Sequence, residues 1–207
     1  YEYNPENLER GKGWNLSTDG SQGAIIPAEV VWEPAVGINK LPGEYRAGYY
    51  YSSADATDIQ NPQQTSHKQG GWVVAKQQLT AHHGDAARGW IGFVNLTLHD
   101  SDTNTVRDMQ NICLVYKGAF DARPQGEIAI GLGRISINDD VNEANIANNS
   151  IDARGLQSEE YDAEIYYGIH AANWLTIRPN IQYIRHVGAY KNGENAWVGR
   201  IKFQTAF

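Results

Sequence analysis

Arg178, Asn180 and Gln182 stand two residues apart, as do Asp162, Glu164 and Tyr166, and again Arg200 and Lys202. At a period of two, their guanidinium, amide, carboxylate and ammonium groups project from one side of an extended strand. Such a surface suits a neutral, heavily hydrated solute: it replaces lost water with donors and acceptors of both kinds and holds none of them fast. Glu29 and Arg46 extend the set, and Tyr50 and Tyr166 offer aromatic faces to the apolar side of a sugar ring. For each residue the competing reading is structural, since charges on one wall also pair with one another and stiffen it. The chemistry is that of passage or binding, because no Ser, His and Asp set surrounds Cys113 to make it a nucleophile.

The elements that must position these groups are amphipathic strands. In the last one, Trp197, Gly199, Ile201, Phe203, Thr205 and Phe207 alternate with Val198, Arg200, Lys202, Gln204 and Ala206. One face is apolar and the other cationic or amide, the pattern of a strand with lipid on one side and a wet lumen on the other. The terminal Phe207 resembles the C-terminal signature of bacterial outer-membrane barrels, with Thr205 where an aromatic or aliphatic residue is usual. Leu175, Ile177, Pro179, Ile181 and Tyr183 oppose Thr176, Arg178, Asn180, Gln182 and His186 in the same way. Tyr161, Ala163, Ile165, Tyr167 and Ile169 oppose Glu160, Asp162, Glu164, Tyr166 and His170, and Ala28, Val30 and Trp32 oppose Glu29, Val31 and Glu33. Pro179 inside a strand predicts a cost or a bulge. Gln77 falls on an apolar face, and the alternation slips near Arg134, as it would at a bulge.

About nine strands are predicted, over 24–34, 44–52, 70–81, 88–100, 109–119, 126–137, 159–170, 173–186 and 196–207, with a tenth ending near Tyr3. Most match the roughly 9 to 11 residues of a tilted membrane crossing. Short connections (35–43, 82–87, 120–125, 171–172) alternate with long polar ones (53–69, 101–108, 138–158 and the stretch before 24), and 187–195 belongs with the long set. A soluble sandwich has no reason to sort its loops by side. No amphipathic helix is predicted.

Composition agrees. The 207 residues include 21 Gly, 12 Tyr, 6 Trp and one Met, mean hydropathy is -0.53, and no run of about 18 apolar residues exists to make a spanning helix. A net charge of -7 and a pI near 5.3 leave no basic stripe for nucleic acid. A lone Cys113 makes no intramolecular disulfide. Beginning at Tyr1, without an initiator Met or signal peptide, the chain reads as a mature form or a fragment. The six tryptophans fall mostly near strand ends, where an interfacial girdle sits, although core packing also places them there.

Other constellations read blandly. His82 and His83 are adjacent and point apart, with no further ligand at metal spacing. Asp100, Asp102 and Asn104 open like a calcium loop, but Thr105 and Asn111 stand where the glycine and closing glutamate belong. Asp139, Asp140 and Glu143 form an acidic loop segment, hydrated or weakly cation-binding, and Gly131-Leu132-Gly133 has no helix after it to make a dinucleotide loop. Asn15, Asn95 and Asn148 open glycosylation-type tripeptides. No cofactor and no metal site are predicted.

Five ordered segments carry a family resemblance: Ile26-Pro27-Ala28-Glu29, Leu41 through Tyr50 (LPGEYRAGYY), Tyr116-Lys117-Gly118-Ala119-Phe120, Glu164-Ile165-Tyr166-Tyr167, and Arg178 through Ile184 (RPNIQYI). Together they resemble the C-terminal half of the OprB-type carbohydrate-selective porins. The resemblance implies a monomeric transmembrane antiparallel up-and-down β-barrel of about sixteen strands in the bacterial outer membrane, passing glucose-like monosaccharides down a gradient. Residues 1–207 are then a single domain supplying nine or ten strands, and the others belong to a longer chain or to a second polypeptide. Glu29, Arg46, Tyr50, Asp162, Glu164, Tyr166, Arg178, Asn180, Gln182, Arg200 and Lys202 are the expected lumen wall. The alternatives are a soluble or surface-exposed all-β carbohydrate-binding module and, less supported by the residues, an outer-membrane enzyme on the same scaffold.

Overall fold

A computed structural model describes residues 2–3, 20–36, 40–151 and 154–206; Trp14, Asn15 and Phe207, singled out above, lie outside the described residues. Two short strands, β1 (Glu2–Tyr3) and β2 (Ser21–Gly23), pair with each other. The wall itself comprises β3 (Ile25–Trp32), the short β4 (Ala35–Val36), β5 (Leu41–Thr57), β6 (Thr65–Gln78), β7 (Gly89–His99) and β8 (Val106–Lys117). It continues through β9 (Glu127–Ile137), β10 (Glu159–Ala172), β11 (Leu175–Arg185) and β12 (Ala196–Thr205). Sequential strands are spatial neighbours from β5 to β12, with β3 and β4 both on β5, and every pairing is antiparallel. The result is an all-β up-and-down sheet, as the alternation predicts, and it is not closed: β3 and β12 each have a partner on one side only.

The register sorts side chains into two faces. Ile165 lies opposite Ile130 and Ile181, Ile181 opposite Gly199, and Ile177 opposite Phe203, so the apolar positions stack across strands. They are not a core: Ile165, Ile181 and Phe203 are 52%, 54% and 64% exposed. Among the described residues the buried apolar side chains are Leu41, Ala129, Ile137, Ala189 and Tyr190, too few to fill the centre of a soluble sandwich. The stabilising environment for the outward face is therefore hydrocarbon, which accommodates an apolar band on a sheet that satisfies its own backbone hydrogen bonds.

The strands run up and down as expected, but their connections do not sort by length: 58–64 and 100–105 at the expected loop end are shorter than 79–88 and 118–126 at the expected turn end, and only 138–158 and 186–195 remain long there. Strands β5 and β6 extend further than predicted, to Thr57 and from Thr65, leaving only 58–64 as loop. The extension is polar, and it forms because pairing such as Ala56 with Ser66 satisfies backbone groups whatever the side chains. The long loop after β9 contains a helix, α1 (Asp139–Ala147), absent from the expectations above. Asn138 caps it by accepting from the Asp140 amide, and Asp139 and Asp140 lie in its first turn, where negative charge suits the helix dipole. Nine residues without an apolar stripe give little periodic signal.

Neither predicted bulge appears. β9 runs in unbroken register with β10 from Glu127 to Ser136; Arg134 breaks the apolar alternation because it sits on the outer rim, bonded to Asp108 and Glu159. Pro179 keeps its register with β12, and the β10 ladder resumes on either side of it. Its missing N–H removes bridges there without shifting the strand.

Candidate functional site

Every wall residue expected from the sequence lies on the inward face. On β10 and β11, Glu164 stands opposite Gln182 and Tyr166 opposite Asn180. On β11 and β12, Arg178 stands opposite Lys202 and Asn180 opposite Arg200. Side-chain lengths then determine the pairing. Asn180 Nδ2 donates to Glu164 Oε1 at 2.7 Å and Gln182 Nε2 to its Oε2 at 2.6 Å. The Arg178 guanidinium bonds Glu127 at 2.6 Å and lies 4.4 Å over the Tyr166 ring, whose hydroxyl donates to the same carboxylate at 3.1 Å.

Three buried polar atoms remain unpartnered here: Asp162 Oδ1, Arg178 Nε and Asn180 Oδ1. The side chains of Arg200 and Lys202 make no hydrogen bond or ion pair to another described residue. Arg178, Asn180, Arg200 and Lys202 border a recess of about 590 Å³ whose floor is Gly131 and Cys113. A second recess of about 390 Å³ adjoins it, lined by Asn111, Gly133 and Asp162. Small residues opposite one another, Gly131 with Cys113, leave the wall hollow where the long side chains of β10 to β12 converge.

A separate inward patch lies on β3 to β7. Arg46 bonds Glu44 at 2.5 Å and Glu29 at 3.4 Å, and Trp72 Nε1 donates to Glu29 at 2.6 Å. Tyr50 hydroxyl bonds His99 Nδ1 at 2.8 Å. The sequence leaves Trp72 open between the interfacial girdle and packing; the register turns it inward, opposite Gly48. The indole lies against the wall there, since a Cβ on Gly48 would fall 2.1 Å from Trp72 Cζ2. Trp32, Trp90, Trp174 and Trp197 are exposed, at positions suiting the girdle.

Sequence reasoning missed Glu127, Glu44, Trp72 and His99. Glu127 shares the face of Ala129 and Gly131, so its parity was available, but its partner Arg178 is 51 residues away.

The other constellations have structural partners. His82 Nδ1 bonds the Tyr116 hydroxyl at 2.6 Å, joining the turn after β6 to the end of β8. Arg88 bonds Asp121 at 2.7 Å and the Gly118 carbonyl at 2.6 Å; the hydrogen bond and charge of this guanidinium hold the Asp121 carboxyl below the usual range. Gly118 has φ +65°, and a Cβ there would strike Pro124 and Arg88. On the loop side, Asp100 accepts from Gln69 and Thr103 amides, Asp139 pairs with Arg107 at 2.9 Å, and Asp140 and Glu143 both accept from Gln60. Cys113 is a half-buried wall residue.

Comparison with known proteins agrees with this geometry. Residues 1–207 match the family model described as carbohydrate-selective porin, OprB family. Porin B of Pseudomonas aeruginosa is 46% identical over 229 residues, covering all of this chain and 50% of that protein. Putative porin QuiX of Acinetobacter baylyi is 34% identical, covering all of this chain and 51% of that protein. The high-pH structure of Pseudomonas putida OprB superposes with TM-score 0.89 at 48% identity, over 100% of this chain and 54% of that one. Its low-pH structure gives 0.64 at 43% identity, over 90% and 48%. The chain thus spans about half the length of the relatives it matches.

Proposed function

The chain belongs to the OprB family of carbohydrate-selective porins of the Gram-negative outer membrane, and we propose that it forms the C-terminal part of a monomeric pore for passive diffusion of glucose-like monosaccharides. The observation that carries this reading is the two-faced wall, apolar and exposed outside, charged and amide-lined inside. The open edges of β3 and β12 support a larger barrel, because an unpaired strand edge in hydrocarbon costs several kcal/mol per polar group (about 2 or more). Further strands, about seven in a sixteen-stranded barrel, close it. They come from the remainder of a longer chain or from a second polypeptide.

Within the pore, the inward residues divide by their partners. Glu164, Arg178 and Arg46 shape the wall, since their charges are already bonded. Arg200, Lys202, Asp162 and the free atoms of Arg178 and Asn180 offer hydrogen bonds to a passing hydroxyl. Tyr50 and Tyr166 border the path as partly covered aromatic faces. Nothing favours a carbohydrate-binding module freely soluble in water, which would have to hide the exposed Ile165, Ile181 and Phe203 band. Liposome swelling by the full-length protein tests the reading: glucose should enter faster than a disaccharide or an amino acid of similar size. Equal rates for all three remove sugar selectivity.

A further inference from the structure

Three residues stand level across the outward rim at the loop end of the wall: Arg134 on β9, Tyr161 on β10 and Arg185 on β11. Arg134 is neutralised by Asp108 and Glu159, at 3.3 and 3.2 Å. Arg185 is not: its guanidinium lies 6.0 Å from the Tyr161 ring centroid and makes no hydrogen bond or ion pair to another described residue. One step toward the membrane centre, Tyr183 and Trp197 meet at 4.8 Å, and Trp197 is 75% exposed. Below them run Ile181, Ile165 and Ile201, all exposed.

A lone cation at the edge of an apolar band is expensive unless its partner lies in the membrane. A long arginine side chain reaches that partner at headgroup level. In outer-membrane barrels the long loops face the cell exterior, so this rim meets the outer leaflet, whose lipid carries phosphorylated sugars. We propose that Arg185, with Tyr161, Tyr183 and Trp197, is a docking site for lipid A, the guanidinium taking a phosphate and the exposed indole covering a sugar face. Both halves of the headgroup are thereby matched, charge by Arg185 and apolar ring face by Trp197, which a phospholipid headgroup would not require. The carboxylate of Glu159 on the same rim does not oppose a phosphate freely, being bonded to Arg134 and Ser158.

The test measures displacement of a fluorescent lipid A from the full-length porin in detergent by bisphosphorylated lipid A, dephosphorylated lipid A and phosphatidylglycerol. Bisphosphorylated lipid A should compete at least about fivefold better than either other lipid, the value of one basic side chain at a membrane surface. Arg185→Gln should abolish that preference, Arg185→Lys should keep part of it, and Arg123→Gln, in a short turn at the opposite end, should leave it intact. A heat-modifiable band on gels reports that each variant is folded; if Arg185→Gln does not fold, Arg185→Lys and Trp197→Leu carry the test. The proposal fails if Arg185→Gln binds all three lipids like the parent, or if phosphatidylglycerol competes as well as lipid A. It fails equally if Arg123→Gln loses as much preference as Arg185→Gln. Sugar flux is a separate readout and should not change.

Discussion

The outer and inner faces of β10 to β12 are built from alternate residues of the same strands and are stable for opposite reasons. Outside, Ile165, Ile181 and Phe203 bond to nothing and stay exposed. Inside, Tyr166 and Arg178 bond Glu127 of the neighbouring β9, Asn180 and Gln182 bond Glu164, and the side chains of Asp162, Arg200 and Lys202 stand apart. The outer face depends on its solvent and tolerates no charge, whereas the inner face depends on pairing and is sensitive to the loss of one partner. On the proposed function, solute contact falls to the groups that pairing leaves over.

That contrast can be broken most severely from outside. Ile181→Arg should destabilise the membrane-inserted barrel by about 2–4 kcal/mol, measured by reversible denaturant unfolding in vesicles. An unchanged midpoint would mean Ile181 does not face lipid. On the inner side, Glu127→Ala leaves Arg178 without its carboxylate and should cost about 1–3 kcal/mol, while also moving single-channel reversal potentials toward anion selectivity. A loss shared by Arg178→Ala and the double mutant, rather than a sum, would sharpen the network reading. Trp72→Phe removes the bond to Glu29 and part of the indole's cover over Gly48 and should cost about 1–2 kcal/mol. Arg200→Ala should stay within about 0.5 kcal/mol of the parent in stability yet shift selectivity toward cations and alter sugar flux. No change in either transport assay would leave Arg200 a bystander.

The smallest effect lies in the turns. Arg88 lowers the Asp121 pKa, so the contact stabilises fully above the ordinary carboxylate range near about pH 4 and is lost as pH falls through the lower folded value. Asp121→Asn should therefore differ from the parent at neutral pH and converge with it in acid. A difference that persists at low pH would assign the effect to packing.

Strand positions were legible because alternation is written residue by residue: the stretch 159–170 needed no partner to reveal its two faces. The wall residues on β10 to β12 followed from the same parity. Trp72 stayed open between girdle and packing because a tryptophan suits either face, and only the register with Gly48 turns it inward. Arg134 looked like a slip in β9 because its partners, Asp108 and Glu159, lie 26 and 25 residues away. Helix α1 was too short to show a period.

By itself, the sequence determined an up-and-down series of two-faced strands, since these follow from local alternation; the lengths of the connections were settled only by how far each ladder extends. Which inward charges saturate one another was decided only in the tertiary structure. Cross-strand pairing joins residues such as Glu127 and Arg178 across an intervening strand, and no local pattern carries that register.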